Sequence, residues 1–415
     1  MKIIRSLNIL LVTDSFYPDG FGGCHTYVYY LARGLIKKGH NVVVATIKLN
    51  DKLPTEEIID QIKIFRYNTP VKGKLLFLLR PFNMYLNLGV KAPWKVSDFD
   101  IVHHHDLIAA SAMYQLSRLK SVPACYTFHS SVYDDVTHQL KRKSYGLKLF
   151  NKLVLAAIKS MENYVLKKSK KIMVLSDFSK GYVLDNYPKT LPSKIEKVPG
   201  GVDGKNFYYI DRSKMNWDEQ RDRLGLPKDK KIVFTARRLV ARMGIENLIE
   251  AAVLLRKKRN DFFIAVFGDG FLKGQLQEMI NLKGLQDNFK LMGRFDFKEL
   301  PSFYHACDLF IMPSEFSEWF GLATIEALSC GLPVIGTPAG ATGEILEGLD
   351  KRLVISGVTS AHIAEKISEF LGMNRSELLE LGRIGREYVE AKYSWEKVVD
   401  GVEAVYLKML DTNTN

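Results

Sequence analysis

Short apolar, β-branched runs alternate with helix-period stretches along the whole chain. Such runs at 8–13, 41–46, 100–103, 124–129 and 171–175 read as strands. Helical patterns lie between them, from Gly22-Gly23 to about Lys38, over 109–119 and over a basic stretch at 145–168. A break dense in Gly, Asp, Lys and Asn follows near 199–227. The alternation then resumes, with strands at 231–235, 262–267, 309–312 and 333–336 and helices at 245–258, 273–283, 300–306 and 321–329. Strands separated by helices in this way predict a parallel sheet covered on both faces. Two such sets predict two doubly wound α/β domains, at 1–205 and 206–393, with ligands at the carboxyl ends of their strands. The cleft between two such domains is the expected site. A last amphipathic helix, 394–411, lies beyond the second core.

Composition narrows the class. A chain of 415 residues, 47% hydrophobic and 25% charged, is globular and long enough for two cores. Cys24, Cys125, Cys307 and Cys330 sit in or beside apolar stretches without a C-x-x-C pair. They read as small buried hydrophobes in a reducing, cytoplasmic compartment. The first apolar run, Ile9-Leu10-Leu11-Val12, is too short for a secretory signal. No window reaches the roughly 18 uninterrupted apolar residues of a membrane span.

The net charge of +13 is concentrated in the first half. Residues 61–97 hold seven Lys/Arg and no acid, and residues 141–171 hold ten with one acid, Glu162. A charge run is ordinarily a solvated helix face. Here Leu75, Phe77, Phe82, Met84 and Tyr85 lie among the cations, a mixture suited to the surface of an anionic membrane. A basic nucleic-acid-binding protein is the rival class, but no RNA-binding motif or helix-turn-helix accompanies the charge, so no nucleic-acid partner is expected.

The chemistry concentrates at strand ends. The strand at 309–312 runs into a loop carrying Glu318, breaks at Gly321, and enters a helix carrying Glu326. A helix start offers unpaired N–H groups and the positive end of a dipole, which suit a phosphate. Paired carboxylates on either side can accept hydrogen bonds from sugar hydroxyls. The strand at 8–13 runs into a glycine loop with Gly20, Gly22 and Gly23. An NAD fingerprint would need a third Gly, where His25 stands, and an acid after the second strand, where Thr46-Ile47-Lys48 stands. His129 ends the strand at 124–129 and points to a cleft mouth. In His103-His104-His105-Asp106 only His103 and His105 share a face, a weak metal signal. Asp98-Phe99-Asp100 reads as a surface loop, and no metal is expected.

Glu318 and Glu326, with Phe320-Gly321-Leu322 between them, Pro313-Ser314 before and Ala327-Leu328-Ser329-Cys330-Gly331-Leu332-Pro333 after, resemble the E-x7-E signature of the large retaining glycosyltransferase family called family 4. Thr127-Phe128-His129 resembles its active-site histidine motif, and Pro199-Gly200-Gly201-Val202-Asp203 its hinge. The likeness covers nearly the whole chain, in order. It implies a GT-B fold: two Rossmann-like domains facing a cleft, with the last helix returning to the first domain.

The same resemblance implies a nucleotide-diphosphate sugar held mainly by the second domain. Gly22, Gly23, Arg238, Arg242, Arg294, Gly321, Leu322 and Glu326 would bind this donor. His129 and Glu318 would act at the sugar, and no cofactor is needed. Two positions depart from the family pattern. Met243 replaces a phosphate-binding lysine, so Arg242 is expected to supply the charge. Trp319 replaces a glycine and bears on the sugar pocket. UDP- and GDP-sugars both remain open. The acceptor is a glycan, lipid-linked or soluble, with a lipid-linked or cell-envelope glycan at the inner membrane face as the leading expectation. A sugar-nucleotide binder without turnover is the alternative.

Overall fold

The structure is a computed structural model. It describes residues 5–411 except 21, 70–83, 85, 89–91, 116–120, 143–147 and 295–296. The chain forms two compact units, Met1–Gly200 with Trp395–Asn415, and Gly201–Ser394.

The first unit is built on an eight-stranded sheet. Its strands are β1 (Asn8–Val12), β2 (Asn41–Ile47), β3 (Glu56–Ile59), β4 (Ile62–Tyr67), β5 (Ile101–His104), β6 (Ala124–Phe128), β7 (Lys171–Val174) and β8 (Ile195–Lys197). Their order is β3-β4-β2-β1-β5-β6-β7-β8. All pairings are parallel except β3 with β4. That hairpin escapes a reading of the sequence because its turn is Asp60-Gln61, both at positive φ, without the usual Gly or Asn. The chain leaves β1 toward β2 and later returns to its other side as β5. The order of strands therefore reverses between β1 and β5, where ligands of such sheets bind.

The helix Trp395–Asp411 completes this unit by packing on the helix Gly23–Lys37. Trp395 stacks on Tyr30, with ring centroids 5.1 Å apart. The buried Glu403 accepts hydrogen bonds from His40 Nε2 at 2.8 Å and Lys38 Nζ at 2.5 Å. Lys38 also pairs with Asp400 at 2.6 Å.

The second unit has a five-stranded parallel sheet of β9 (Lys231–Ala236), β10 (Phe262–Phe267), β11 (Phe289–Gly293), β12 (Leu309–Met312) and β13 (Val334–Gly336). Their order is β11-β10-β9-β12-β13. The reversal here falls between β9 and β12. Every residue of β10 and β12 is buried, as strands with helices on both faces require.

Most of the apolar segment among the first cluster of cations lies outside the described residues. Met84, which the sequence pattern assigns to a membrane-facing surface, is instead buried with Leu88 in the first unit's core beside Phe65 and Phe99. Within the second basic stretch the helix Lys148–Lys168 exposes Lys152, Lys167, Lys168 and Leu153, the last at 62%. No helix among the described residues is long and apolar enough to cross a membrane.

Candidate active site

Each unit gathers polar side chains at the carboxyl end of its sheet, beside the strand reversal. In the second unit the loop after β12 turns at Gly321, whose φ of 88° is left-handed. Gly321 starts the helix Leu322–Ser329 with no side-chain cap hydrogen bond. Glu318 precedes it. Its Oε2 accepts from Arg237 Nη2 at 2.5 Å and from Ser314 Oγ at 3.0 Å. Arg237 Nη1 in turn donates to Ser314 Oγ at 2.8 Å. Arg237 is buried at the end of β9, while Arg238 is exposed. The cation holding Glu318 is therefore the neighbour of the one the sequence motif singles out. An Arg-Arg pair in sequence does not reveal which member turns inward.

Arg242 lies in the same cluster. Its Nη1 donates to the Ser317 carbonyl at 3.0 Å, and its own carbonyl accepts from Glu315 N at 3.1 Å. A Cβ on Gly244 would stand 1.8 Å from the Pro313 carbonyl oxygen, so the loops after β9 and β12 meet backbone to backbone. Met243 is 7% exposed and packs inside, which leaves Arg242 as the charged side chain of that pair. Trp319 and Phe320 are also buried. Glu326 is 8% exposed, and burial pushes its carboxyl up to about 7. The buried Tyr304 hydroxyl donates to its Oε2 at 3.4 Å. Arg294, 85% exposed, pairs with Asp269 at 2.7 Å beyond β10 and β11.

In the first unit Gly22 caps the helix Gly23–Lys37 at φ 143° without a side-chain bond, and Gly23 is its first residue. His25 Nε2 meets Ser15 Oγ and lies 3.7 Å from the Asp14 carboxylate. His129 follows β6, with its Nε2 2.9 Å from His105 Nδ1. Burial pushes the His129 imidazole down to about 3, a shift that Asp14 opposes and His25 reinforces. His129 is thus neutral near pH 7 and can act as a hydrogen-bonding dipole.

His103 and His105 do share a face, with ring centroids 4.0 Å apart. The Asp106 carboxylate accepts from Ala109 N and caps the helix Leu107–Met113. Asp98 caps a turn at Lys95, and Asp100 accepts from Asn8 N at 2.8 Å. Among the described residues no group of three or more His, Cys, Asp or Glu is placed to hold a metal ion. Three of the four cysteines are buried, whereas Cys24 is partly exposed at the glycine loop.

Two doubly wound units with parallel sheets are the GT-B fold. Sucrose-phosphate synthase from Thermosynechococcus elongatus shares the fold with a TM-score of 0.81 at 20% identity, covering 98% of this chain and 100% of its own. WaaG, a glycosyltransferase involved in lipopolysaccharide biosynthesis, does so at 0.68 and 18%, covering 94% and 98%. Residues 216–387 match the family described as glycosyl transferases group 1, and residues 21–205 match Glycosyltransferase Family 4. The chain belongs to the family 4 glycosyltransferases.

Among its relatives, an uncharacterised glycosyltransferase of Methanocaldococcus jannaschii is 23% identical over 96% of this chain and 98% of its own. One subunit of the phosphatidylinositol N-acetylglucosaminyltransferase of Homo sapiens is 24% identical over 97% of this chain and 76% of its own. A GDP-mannose-dependent monoacylated alpha-(1-6)-phosphatidylinositol monomannoside mannosyltransferase of Corynebacterium glutamicum is 30% identical over 48% of this chain and 53% of its own.

Proposed function

We propose that this glycosyltransferase moves a hexose from a nucleotide-diphosphate sugar to a hydroxyl of a lipid-linked or cell-envelope glycan, with retention and without a metal. The observation that carries the reading is the loop after β12. One uncapped helix start at Gly321 is flanked by Glu318 and Glu326 and approached by Arg242. The helix dipole, the Gly321 and Leu322 amides, Arg238 and Arg242 offset the charge that grows on the departing diphosphate. Glu326 accepts the ribose hydroxyls, and Glu318 a hydroxyl of the sugar. Arg294 lies toward the base. The first unit binds the acceptor and brings the Gly22-Gly23 loop and the neutral His129 imidazole. In the transfer, the acceptor oxygen bonds to the anomeric carbon as the bond to the diphosphate breaks. The acceptor proton passes to a phosphate oxygen, and the nucleoside diphosphate leaves.

Two of the relatives named above support the acceptor class, since phosphatidylinositol stands in their names. The exposed lysines and Leu153 of the helix Lys148–Lys168 suit docking at the anionic cytoplasmic membrane face.

A thermal-shift panel of UDP-, GDP- and ADP-sugars tests the donor. A true donor at 100 times its Kd stabilises the protein by about 2.7 kcal/mol. Absence of any shift across the panel overturns the reading. Binding without release of nucleoside diphosphate identifies a sugar-nucleotide binder instead. Flotation with anionic but not neutral vesicles is expected, and its absence removes the membrane part.

A further inference from the structure

The histidines of β5 and of the turn after β6 form a connected set. His103 is fully buried and held at both nitrogens: Nδ1 lies 2.7 Å from Tyr406 Oη and Nε2 lies 2.7 Å from Thr127 Oγ1. Its ring packs against that of His105 at 4.0 Å, and Tyr27 closes on His105 at 5.7 Å and on His129 at 5.1 Å. The His105 ring is thereby fixed in place. Its Nδ1 reaches His129 Nε2 at 2.9 Å, while its Nε2 is buried without a hydrogen-bond partner among the described residues.

One proton is shared across the His105–His129 contact, and the direction of donation sets the tautomer of both rings. If His129 donated, His105 would carry its proton on the orphaned Nε2, as a buried N–H with no acceptor. Genuinely orphaned buried N–H groups are rare along protein backbones, and the same desolvation cost applies to a ring N–H. If His105 donates from Nδ1, the orphan is a bare ring nitrogen, and the His129 proton must sit on Nδ1. Both rings are kept neutral by burial, so no second proton blurs this choice.

We propose that His105 is a positioning residue that donates from Nδ1 to His129 and locks His129 in the Nδ1–H tautomer, so that His129 offers substrate a neutral N–H donor. This deepens the proposed function and rests on its placement of His129 at the reacting sugar. A neutral donor aimed at a sugar oxygen can strengthen its bond as charge shifts in the transition state. It cannot act as a general base through Nδ1.

Nitrogen-15 spectra of the imidazole rings in the intact protein test the tautomer without any ligand, with the His129 signals assigned by their loss in H129N. The expected wild-type pattern is a protonated Nδ1 and a bare Nε2 on His129. In H105F the proton moves to Nε2, and turnover of the donor chosen by the panel falls about 10-fold to 100-fold, the scale of loss known when the orienting partner of a metal-bound histidine is removed. H105N places an amide donor where Nδ1 stood and restores both the tautomer and most of the turnover. A wild-type His129 protonated at Nε2 overturns the proposal, as does an unchanged tautomer in H105F. If H105F does not fold, the wild-type and H105N spectra still decide. A panel in which no donor binds sinks the transferase reading alone, because the tautomer remains measurable.

Discussion

The Arg237 guanidinium grips the Glu318 carboxylate at 2.5 Å, and Ser314 Oγ bridges the two. The sequence motif marks Glu318 and Arg238, but the inward cation is Arg237. Burial favours its loss of charge, and the Glu318 carboxylate opposes that. One carboxylate oxygen, Oε2, takes both of these bonds, leaving Oε1 outside the pair.

Removing Arg237 should therefore expose an imbalance. In Arg237→Met the largely buried Glu318 carboxylate loses its counter-ion, which costs about 3 kcal/mol. Urea unfolding measures this as a lower midpoint. The double variant Arg237→Met/Glu318→Gln should recover part of the loss. A single variant as stable as wild type would show that the pair contributes nothing.

Glu326 should make stability depend on pH in the direction opposite to an ion-paired acid. Its folded value of about 7 lies above the ordinary 4.5 because burial disfavours the charge. Between those values the folded state binds the extra proton, so stability falls as pH rises from 4.5 through 7. At 1.36 kcal/mol per unit, the span corresponds to about 3 kcal/mol. Glu326→Gln should be the more stable protein at about pH 8, above the folded value, and lack this slope in melting experiments. It should also bind donor more weakly, because an amide replaces the acceptor carboxylate for ribose.

Met243→Lys restores the family residue and should still damage the protein. Position 243 is buried, and an ammonium placed there loses its hydration. A loss of several kcal/mol on unfolding is expected. Arg242→Ala should leave stability nearly unchanged but weaken donor by about tenfold or more, the size of a lost charge-assisted hydrogen bond. Titration of the donor by calorimetry separates the two. Intact donor affinity in Arg242→Ala would remove Arg242 from the phosphate site.

Glu403 should anchor the last helix. Burial alone would raise its carboxyl, but Lys38 and His40 outweigh burial and hold it below its ordinary 4.5. Its stabilisation is thus present above 4.5 and fades as pH falls through the lower folded value. Glu403→Gln should cost about 2 kcal/mol at neutral pH. Hydrogen exchange should show earlier opening of the helix Trp395–Asp411, and the acid sensitivity of that helix should diminish.

Several of these features can be read from the chain, and others cannot. The strand leading to Glu318, the break at Gly321 and the helix carrying Glu326 are contiguous, so local pattern suffices to order them. His129 at the end of β6 and the shared face of His103 and His105 follow from strand alternation. The β3–β4 hairpin is not legible, because Asp60 and Gln61 adopt positive φ without a residue type that announces it. Met84 reads wrongly as surface, because an apolar residue among cations does not state which side it faces. Arg237 and His105 escape notice as partners because each contacts a residue on another strand connection.

The amino-acid order by itself determined the two alternating α/β sets, the position of the carboxylate-bearing helix start and the family to which the chain belongs. Hydrophobic period and turn chemistry act over a few residues, and both are written locally. Only the tertiary structure decided that Arg237 meets Glu318, that Met243 and Trp319 are buried, and that His105 backs His129. Those outcomes depend on which loops adjacent parallel strands bring together, and on the cost of burying a charge or an N–H group without a partner.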